Sequence, residues 1–373
     1  MTEEEMEELM RSGQFRVVQG DLAPDEGHVV LPAQAEGGSA LSIGLSTKSR
    51  NFWFDVVIGC SGPDSTSRAV LSSRGFQSRN AAKLEYAIAD VQTLRKFAKQ
   101  PFTDPERVIP RCYRAFAGTF AEGAFLSEAS SADLDHAIAE MRSFFERNED
   151  DPEWMGGQVN IFFAGHGDDR KEERVTNRGG LCLRNTTVTP EDLQNRLMST
   201  LPKNVQQKWN GPATYGNCRV DMYLDCCYSA QFAIAFVGRL LNTRTGLVPG
   251  KFWCSSMPFQ QSFESPAFRH GVFTYYLMSD YSQKKRRSFP ASLFEAKSPS
   301  LRTGDVGKHT RNEQNPLVID FTGDRNPGIT IPGAIETRVT PNEVPVRDVK
   351  NGDNMALWLN DYLQAVYDKN WGH

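Results

Sequence analysis

The stretch Val220-Asp-Met-Tyr-Leu-Asp-Cys-Cys-Tyr-Ser-Ala230 constrains this chain more than any other. It reads as a buried strand that stops abruptly at a polar turn carrying two adjacent thiols. A second apolar run, Val159-Asn-Ile-Phe-Phe-Ala-Gly-His-Gly167, ends in a histidine held between two glycines. In an α/β sheet the carboxyl ends of neighbouring parallel strands converge on one crevice, so a cysteine of the first run and His166 can face each other. A thiol beside an imidazole is a nucleophilic dyad in chemical terms. Side chains alternate faces along a strand, so Cys226 and Cys227 cannot both point into that crevice.

Composition narrows what such a dyad could serve. The net charge of −4 is small for 373 residues, with 24% charged residues, which suggests neither nucleic acid nor an anionic membrane as a partner. No run approaches the roughly 18 apolar residues of a membrane span, and Met-Thr-Glu-Glu-Glu-Met-Glu-Glu-Leu-Met at the start is too acidic for a signal peptide. Seven cysteines without framework spacing fit free thiols in a reducing compartment. Together these point to a cytoplasmic protein.

Along the chain, residues 1–50 form an extension with short β-like runs at Phe15–Val18 and His28–Leu31. Phe52–Cys60 is a buried strand, and Leu84, Ala87, Ile88, Val91, Leu94 and Phe97 recur at helical spacing over 82–99, with Asp90 off that stripe. A strand is expected within Arg107–Phe116, a helix over Ser131–Asn148, and mostly loop over 168–219, apart from a helix at Pro190–Ser199 opened by Thr189 and Asp192. Gln231–Leu241 reads as a helix, 242–250 as a linker, Lys251–Ser256 as a strand, Phe268–Ser282 as a helix, Pro316–Phe321 as a last strand and Met355–Tyr367 as a closing helix. This β-α-β rhythm implies a single doubly wound α/β domain over 51–335, with a mostly parallel sheet, helices on both faces, and a C-terminal extension over 336–373.

The residues also carry a family resemblance. Phe163-Ala-Gly-His-Gly167 resembles the S-G-H-G block of caspase-like cysteine peptidases, and Leu224-Asp-Cys-Cys-Tyr-Ser229 resembles the D-x-C-x-S block of metacaspases. In matching order, Leu84–Leu94 looks like the family's first helix, Ser255–Glu264 like its specificity loop, and His270-Gly-Val-Phe-Thr-Tyr-Tyr-Leu277 like its G-x-F-T helix start. The resemblance implies a caspase-type three-layer sandwich and an endopeptidase acting on protein or peptide substrates. In it Cys227 is the nucleophile, His166 the general acid and base, and the Gly167 and Cys227 amides the oxyanion hole. Cys226 is then a packing thiol. Asp225 and Asp90 match the aspartates that line the P1 pocket, which would favour Arg or Lys. On its own chemistry Asp225 must either cap a backbone group or receive a cation, since an unpaired buried carboxylate is costly.

There are departures: Ala164 for the usual serine, Tyr228 for the common histidine and Ala230 for the closing glycine. No cofactor is required by the resemblance. Calcium-dependent members use aspartates between the dyad residues and just past the cysteine, and Gln231–Phe236 has no carboxylate, so calcium activation does not carry over. Asp168, Asp169, Glu172 and Glu173 could take a cation but read as a solvated acidic loop, and no metal site is assigned. Basic P1 specificity would expose Arg244, Arg286 and Arg287 to self-cleavage. The competing readings are the same chemistry with Asp, Asn or Leu at P1, and a catalytically idle scaffold or regulatory protein.

Overall fold

The computed structural model describes residues 16–19, 27–30, 50–63, 83–99, 119–148, 154–170, 172–200, 218–243, 247–283, 304–321, 328–331, 334 and 351–372. An antiparallel pair, β1 (Arg16–Gln19) and β2 (Gly27–Val30), lies in the N-terminal extension. There follow β3 (Arg50–Gly59), α1 (Ala87–Lys99), β4 (Thr119–Ser127), α2 (Ser131–Asn148) and β5 (Trp154–Ala164). Next come β6 (Gly167–Asp168), β7 (Gly180–Cys182), β8 (Thr187–Val188) and α3 (Pro190–Thr200), then β9 (Cys218–Asp225), α4 (Ser229–Asn242) and β10 (Leu247–Cys254). The chain continues through β11 (Glu264–Ser265), β12 (His270–Gly271), α5 (Val272–Gln283) and α6 (Gly304–His309). It closes with β13 (Leu317–Asp320), β14 (Gly328–Thr330) and α7 (Gly352–Asn370).

Seven strands form one sheet in the order β14-β13-β10-β9-β5-β3-β4. The pairings from β10 to β4 are all parallel, while β13 and β14 run antiparallel at one edge. The protein is therefore an α/β fold built on a mostly parallel sheet. Strand alternation divides its side chains between two cores. On one face, Val56, Ile58, Ile161, Phe163, Met222, Leu224 and Phe252 pack under α2, α3, α4 and α7. On the other, Val57, Phe162, Tyr223 and Trp253 pack under α1 and α5. The two outer layers and the sheet make three layers.

Local chemistry explains several boundaries. At the start of α3 the Thr189 hydroxyl and the Asp192 carboxylate exchange hydrogen bonds with each other's backbone amides, a reciprocal N-terminal cap. Asp90, expected off the apolar stripe of α1, stands three residues after Ala87 and four before Leu94 and is buried with them, its carboxylate meeting the β11–β12 hairpin. Residues 83–86, expected within the first turn of this helix, are not helical, and α1 starts at Ala87. Here Glu264 accepts the Glu85 and Tyr86 amides at 2.9 and 3.0 Å, satisfying donors that precede the helix. Phe268–Arg269 likewise belongs to the β11–β12 hairpin turn, so α5 begins only at Val272. Leu247–Gly250, expected as linker, extends β10 alongside β9. The loop expected over 168–219 contains the small β6-β7-β8 sheet. The strand expected within 107–116 lies outside the described residues, and the edge strand is β4 instead.

Across the amino-terminal half of the sheet, on the α1 side, runs a buried polar row. Asn160 donates to Asp55 at 2.6 Å, Gln158 to Asn160 at 2.6 Å, and Arg219 to Gln158 at 2.6 Å. The second carboxylate oxygen of Asp55 is buried with no hydrogen-bond partner. Burial therefore pushes its carboxyl up to about 7 from an ordinary 3.8, against the smaller opposite pull of Asn160. A raised folded-state value means the native state prefers the proton, so this stabilisation is present at acid pH and fades as pH rises towards 7. Between pH 5 and pH 8, wild type should lose on the order of 3 kcal/mol more stability than Asp55→Asn in urea unfolding. Parallel pH dependence of the two proteins would show that Asp55 stays ionised.

Candidate active site

Register decides the site. In the β5–β9 pairing Ala164 stands opposite Asp225, and each chain runs two residues further to reach His166 and Cys227. The Gly165 amide continues the pairing by donating to the Asp225 carbonyl at 3.1 Å. Both are interior strands of the five-stranded parallel stretch, so their carboxyl ends open on the edge where α/β folds bind ligands. His166 is then tied from the far side: β6 and β7 pair antiparallel, and the Cys182 amide donates to the His166 carbonyl at 3.0 Å. Its ring lies beside Gly62, where a β-carbon would stand 3.4 Å from the His166 Cδ2.

From β9 the chain turns through residues 226–228 directly into α4. Tyr228 takes the left-handed conformation, φ 56°, in that turn, which costs a non-glycine residue on the order of 1 kcal/mol. The turn is anchored by serines from the end of β10. Ser255 Oγ donates to the Cys226 carbonyl at 3.1 Å and accepts from the Cys226 amide at 3.2 Å, and Ser256 Oγ donates to the same carbonyl at 3.2 Å. The Tyr228 amide donates to the Gln260 carbonyl at 2.9 Å.

Cys226 is 2% exposed and continues the Val220, Met222, Leu224 side of β9 into the first core. Cys227 continues the other side and is half-buried, whereas the five other described cysteines are buried and free. The Cys227 sulfur sits against Ser262, whose amide lies 3.5 Å away. Burial raises this thiol, and the charge of Asp225 adds to the effect; the Ser262, Gly167 and Cys227 amides oppose it by favouring a thiolate. Gly167 is pressed against the same turn. A β-carbon there would come within 1.9 Å of the Cys227 carbonyl oxygen, so only glycine allows this approach.

Asp225 and Asp90 meet about Gly271. A β-carbon on that glycine would lie 2.2 Å from Asp225 Oδ2 and 3.2 Å from Asp90 Oδ2. Asp225 accepts from the Thr274 amide at 3.0 Å, the Thr274 hydroxyl at 2.6 Å and the Ser262 hydroxyl at 2.7 Å. It therefore caps the first turn of α5, the backbone role open to it from sequence. Asp90 contacts His270 Nδ1 at 2.6 Å and accepts from the Gly271 amide at 3.2 Å. Glu264 joins the cluster from β11. Burial raises all three carboxyls; the charge of Asp225 raises Asp90 and Glu264 further, Glu264 adds to Asp90, and the hydrogen bonds from Thr274 and Ser262 pull Asp225 the other way.

The structure thus brings together His166, Gly167 and Cys227 at one crevice, and Asp90 with Asp225 beside it. Arg244, Arg286 and Arg287 lie outside the described residues. In the acidic loop, Glu173 accepts from Arg170 at 2.7 Å, and among the described residues no group of three or more His, Cys, Asp or Glu side chains is arranged to hold a metal ion. No helix among the described residues is long and apolar enough to cross a membrane. Sequence reasoning did not assign Ser262, Glu264, His270 or Thr274 to the site. All four fall inside the Ser255–Glu264 and His270–Leu277 blocks, which the resemblance marked without giving any one of them a role. No protein-family model matches the chain, and no curated protein matches it either.

The exposure pattern gives a direct check. Brief iodoacetamide treatment of the native protein, read by peptide mass mapping, should alkylate Cys227 ahead of Cys60, Cys182, Cys218, Cys226 and Cys254. Faster labelling of Cys226 would reverse the facing of the two thiols. Gly167→Ala should lose about 1–3 kcal/mol of stability as the Cys227 turn is pushed away; an unchanged unfolding midpoint would show that the two turns do not touch.

Proposed function

We propose that this protein is a cysteine endopeptidase of the caspase and metacaspase type, with the corresponding three-layer fold, cleaving after Arg or Lys. The observation that carries the reading is the β5–β9 register, which sets Cys227 and His166 at the same level at the carboxyl ends of adjacent central strands. The ordered resemblance of the surrounding sequence blocks supports it.

In this reading Cys227 Sγ attacks the scissile carbonyl carbon. Burial favours the thiol over the thiolate; His166 takes the proton as the sulfur–carbon bond forms, then gives it to the departing amine. The same imidazole next activates a water that hydrolyses the thioester and frees Cys227. The Gly167 and Cys227 amides stabilise the oxyanion in both steps, and such a donor contributes about 3 kcal/mol. Gly167 suits this role because nothing projects from it between its amide and the reacting carbonyl. The carboxyls of Asp90, Asp225 and Glu264 beside the crevice receive the basic P1 side chain.

One observation favours a neutral P1 residue instead. Asp225 already has three donors within the protein, and burial raises each of the three carboxyls, so the pocket is less anionic than its composition implies. A fluorogenic panel with Arg, Lys, Asp, Asn and Leu at P1, with and without calcium, separates the readings. Preference for Arg and Lys by at least about tenfold, equivalent to about 1.4 kcal/mol, is the expected result. Cys227→Ala should abolish turnover while Cys226→Ala keeps most of it. A best substrate with Leu or Asn overturns the basic pocket, and no turnover of any substrate by folded protein favours the idle scaffold.

A further inference from the structure

His270 has no part in the dyad chemistry, yet it makes one of the shortest side-chain contacts near the crevice. Its Nδ1 lies 2.6 Å from Asp90 Oδ1, with the Asp90 side chain 1% exposed and the imidazole 19%. A nitrogen and an oxygen at that separation require a hydrogen between them. The other Asp90 oxygen accepts the Gly271 amide at 3.2 Å.

The surroundings decide who owns that hydrogen. Asp225 at the end of β9 and Glu264 on β11 face the pair, and their negative charge disfavours a second ionised carboxylate. Before α1 stand Glu85 and Tyr86, whose amides are held by Glu264, and the charge of Arg269 at the hairpin turn acts on Tyr86. The start of α5, Val272–Met278, carries no charged residue. Burial pushes Asp90 well up and His270 down, so each group favours its neutral form. The 2.6 Å contact is short enough for a carboxylic acid to donate to a neutral imidazole nitrogen, an arrangement in which one proton is shared by the pair.

We propose that His270 and Asp90 hold a proton between them in the empty pocket, and that a basic P1 side chain displaces it, so the enzyme takes its substrate cation in exchange for a proton. This rests on the reading of the cluster as the P1 pocket. The exchange balances in charge: the entering guanidinium or ammonium brings one positive charge, and the proton leaving to solvent removes one. Asp90 is left as a carboxylate beside the cation, and His270 stays neutral. His270 is thus a specificity-determining residue that acts through Asp90. Selectivity for basic over neutral P1 should rise with pH until the pair is empty without substrate.

The test uses the full chain and two peptidyl aldehydes that differ only at P1, one ending in argininal and one in norleucinal. Both form the same adduct with Cys227, so ionisations of Cys227 and His166 cancel in their difference. Calorimetric titrations in phosphate and in Tris buffer count the protons released. Argininal should release more than norleucinal at acid pH, and the ratio of their affinities should rise by about tenfold per pH unit there, then level. His270→Gln, whose amide can still reach Asp90, should lose both differences. As a check independent of that variant, the 15N imidazole shifts of His270 in ligand-free wild type should pass through a transition that argininal abolishes.

Equal proton release by the two aldehydes, unchanged release in His270→Gln, or an imidazole insensitive to argininal overturns the exchange while leaving the basic pocket standing. Tight norleucinal binding without argininal binding at any pH overturns the basic pocket and the exchange with it. If neither aldehyde binds folded protein, the peptidase reading fails, and the exchange fails with it.

Discussion

The parallel pairing of β5 with β9 is the constraint on which the rest of the molecule depends. With Ala164 opposite Asp225, both strands end at one level and the two turns that follow are forced against each other. A slip of one residue would turn Cys227 into the first core and Cys226 into the crevice, because side chains alternate. The buried apolar set of β9, Val220, Met222 and Leu224, opposes that slip, since it would have to move to the polar side. Core packing and the placement of the reactive thiol are therefore one decision. The approach of Gly167 to the Cys227 carbonyl needs both a correct register and a residue without a side chain.

Around this fixed point the structure concentrates polar groups that would be costly to bury alone. Three carboxyls and an imidazole share the space under the β11–β12 hairpin, and each oxygen is tied to a helix start or a turn. Asp225 caps α5 and Glu264 accepts the amides ahead of α1. The starts of α1 and α5 beside this cluster thus depend on the groups within it. On the same face of the sheet, the row from Asp55 to Arg219 links side chains to one another across neighbouring strands and leaves one Asp55 oxygen without a partner.

Much of the fold was legible because its signals are local. The helix Ser131–Asn148 has the same bounds as its apolar periodicity, and the strands ending near His166 and Cys227 follow from short apolar runs bounded by polar turns. The alternation that separates Cys226 from Cys227 was equally readable. What was not readable depends on partners far away in the chain. Asp90 was expected off the apolar stripe because it is charged, and the partner that lets a carboxyl be buried there, His270, lies 180 residues later. The late starts of α1 and α5 reflect Glu264 and the β11–β12 pairing, neither of which leaves a capping pattern next to the helix it affects. β4 was missed because its Thr-Phe-Ala-Glu-Gly-Ala run is weakly apolar. It pairs with β3 only along one side, at the edge of the sheet.

The central claim is that register makes Cys227 a nucleophile served by His166. Intact and peptide-mapped mass spectrometry after exposure to a peptidyl chloromethyl ketone ending in arginine tests it most directly. The account predicts a single adduct on Cys227, strongly slowed in folded His166→Ala. An adduct on Cys226, or labelling of Cys227 at the same rate with and without His166, would contradict it.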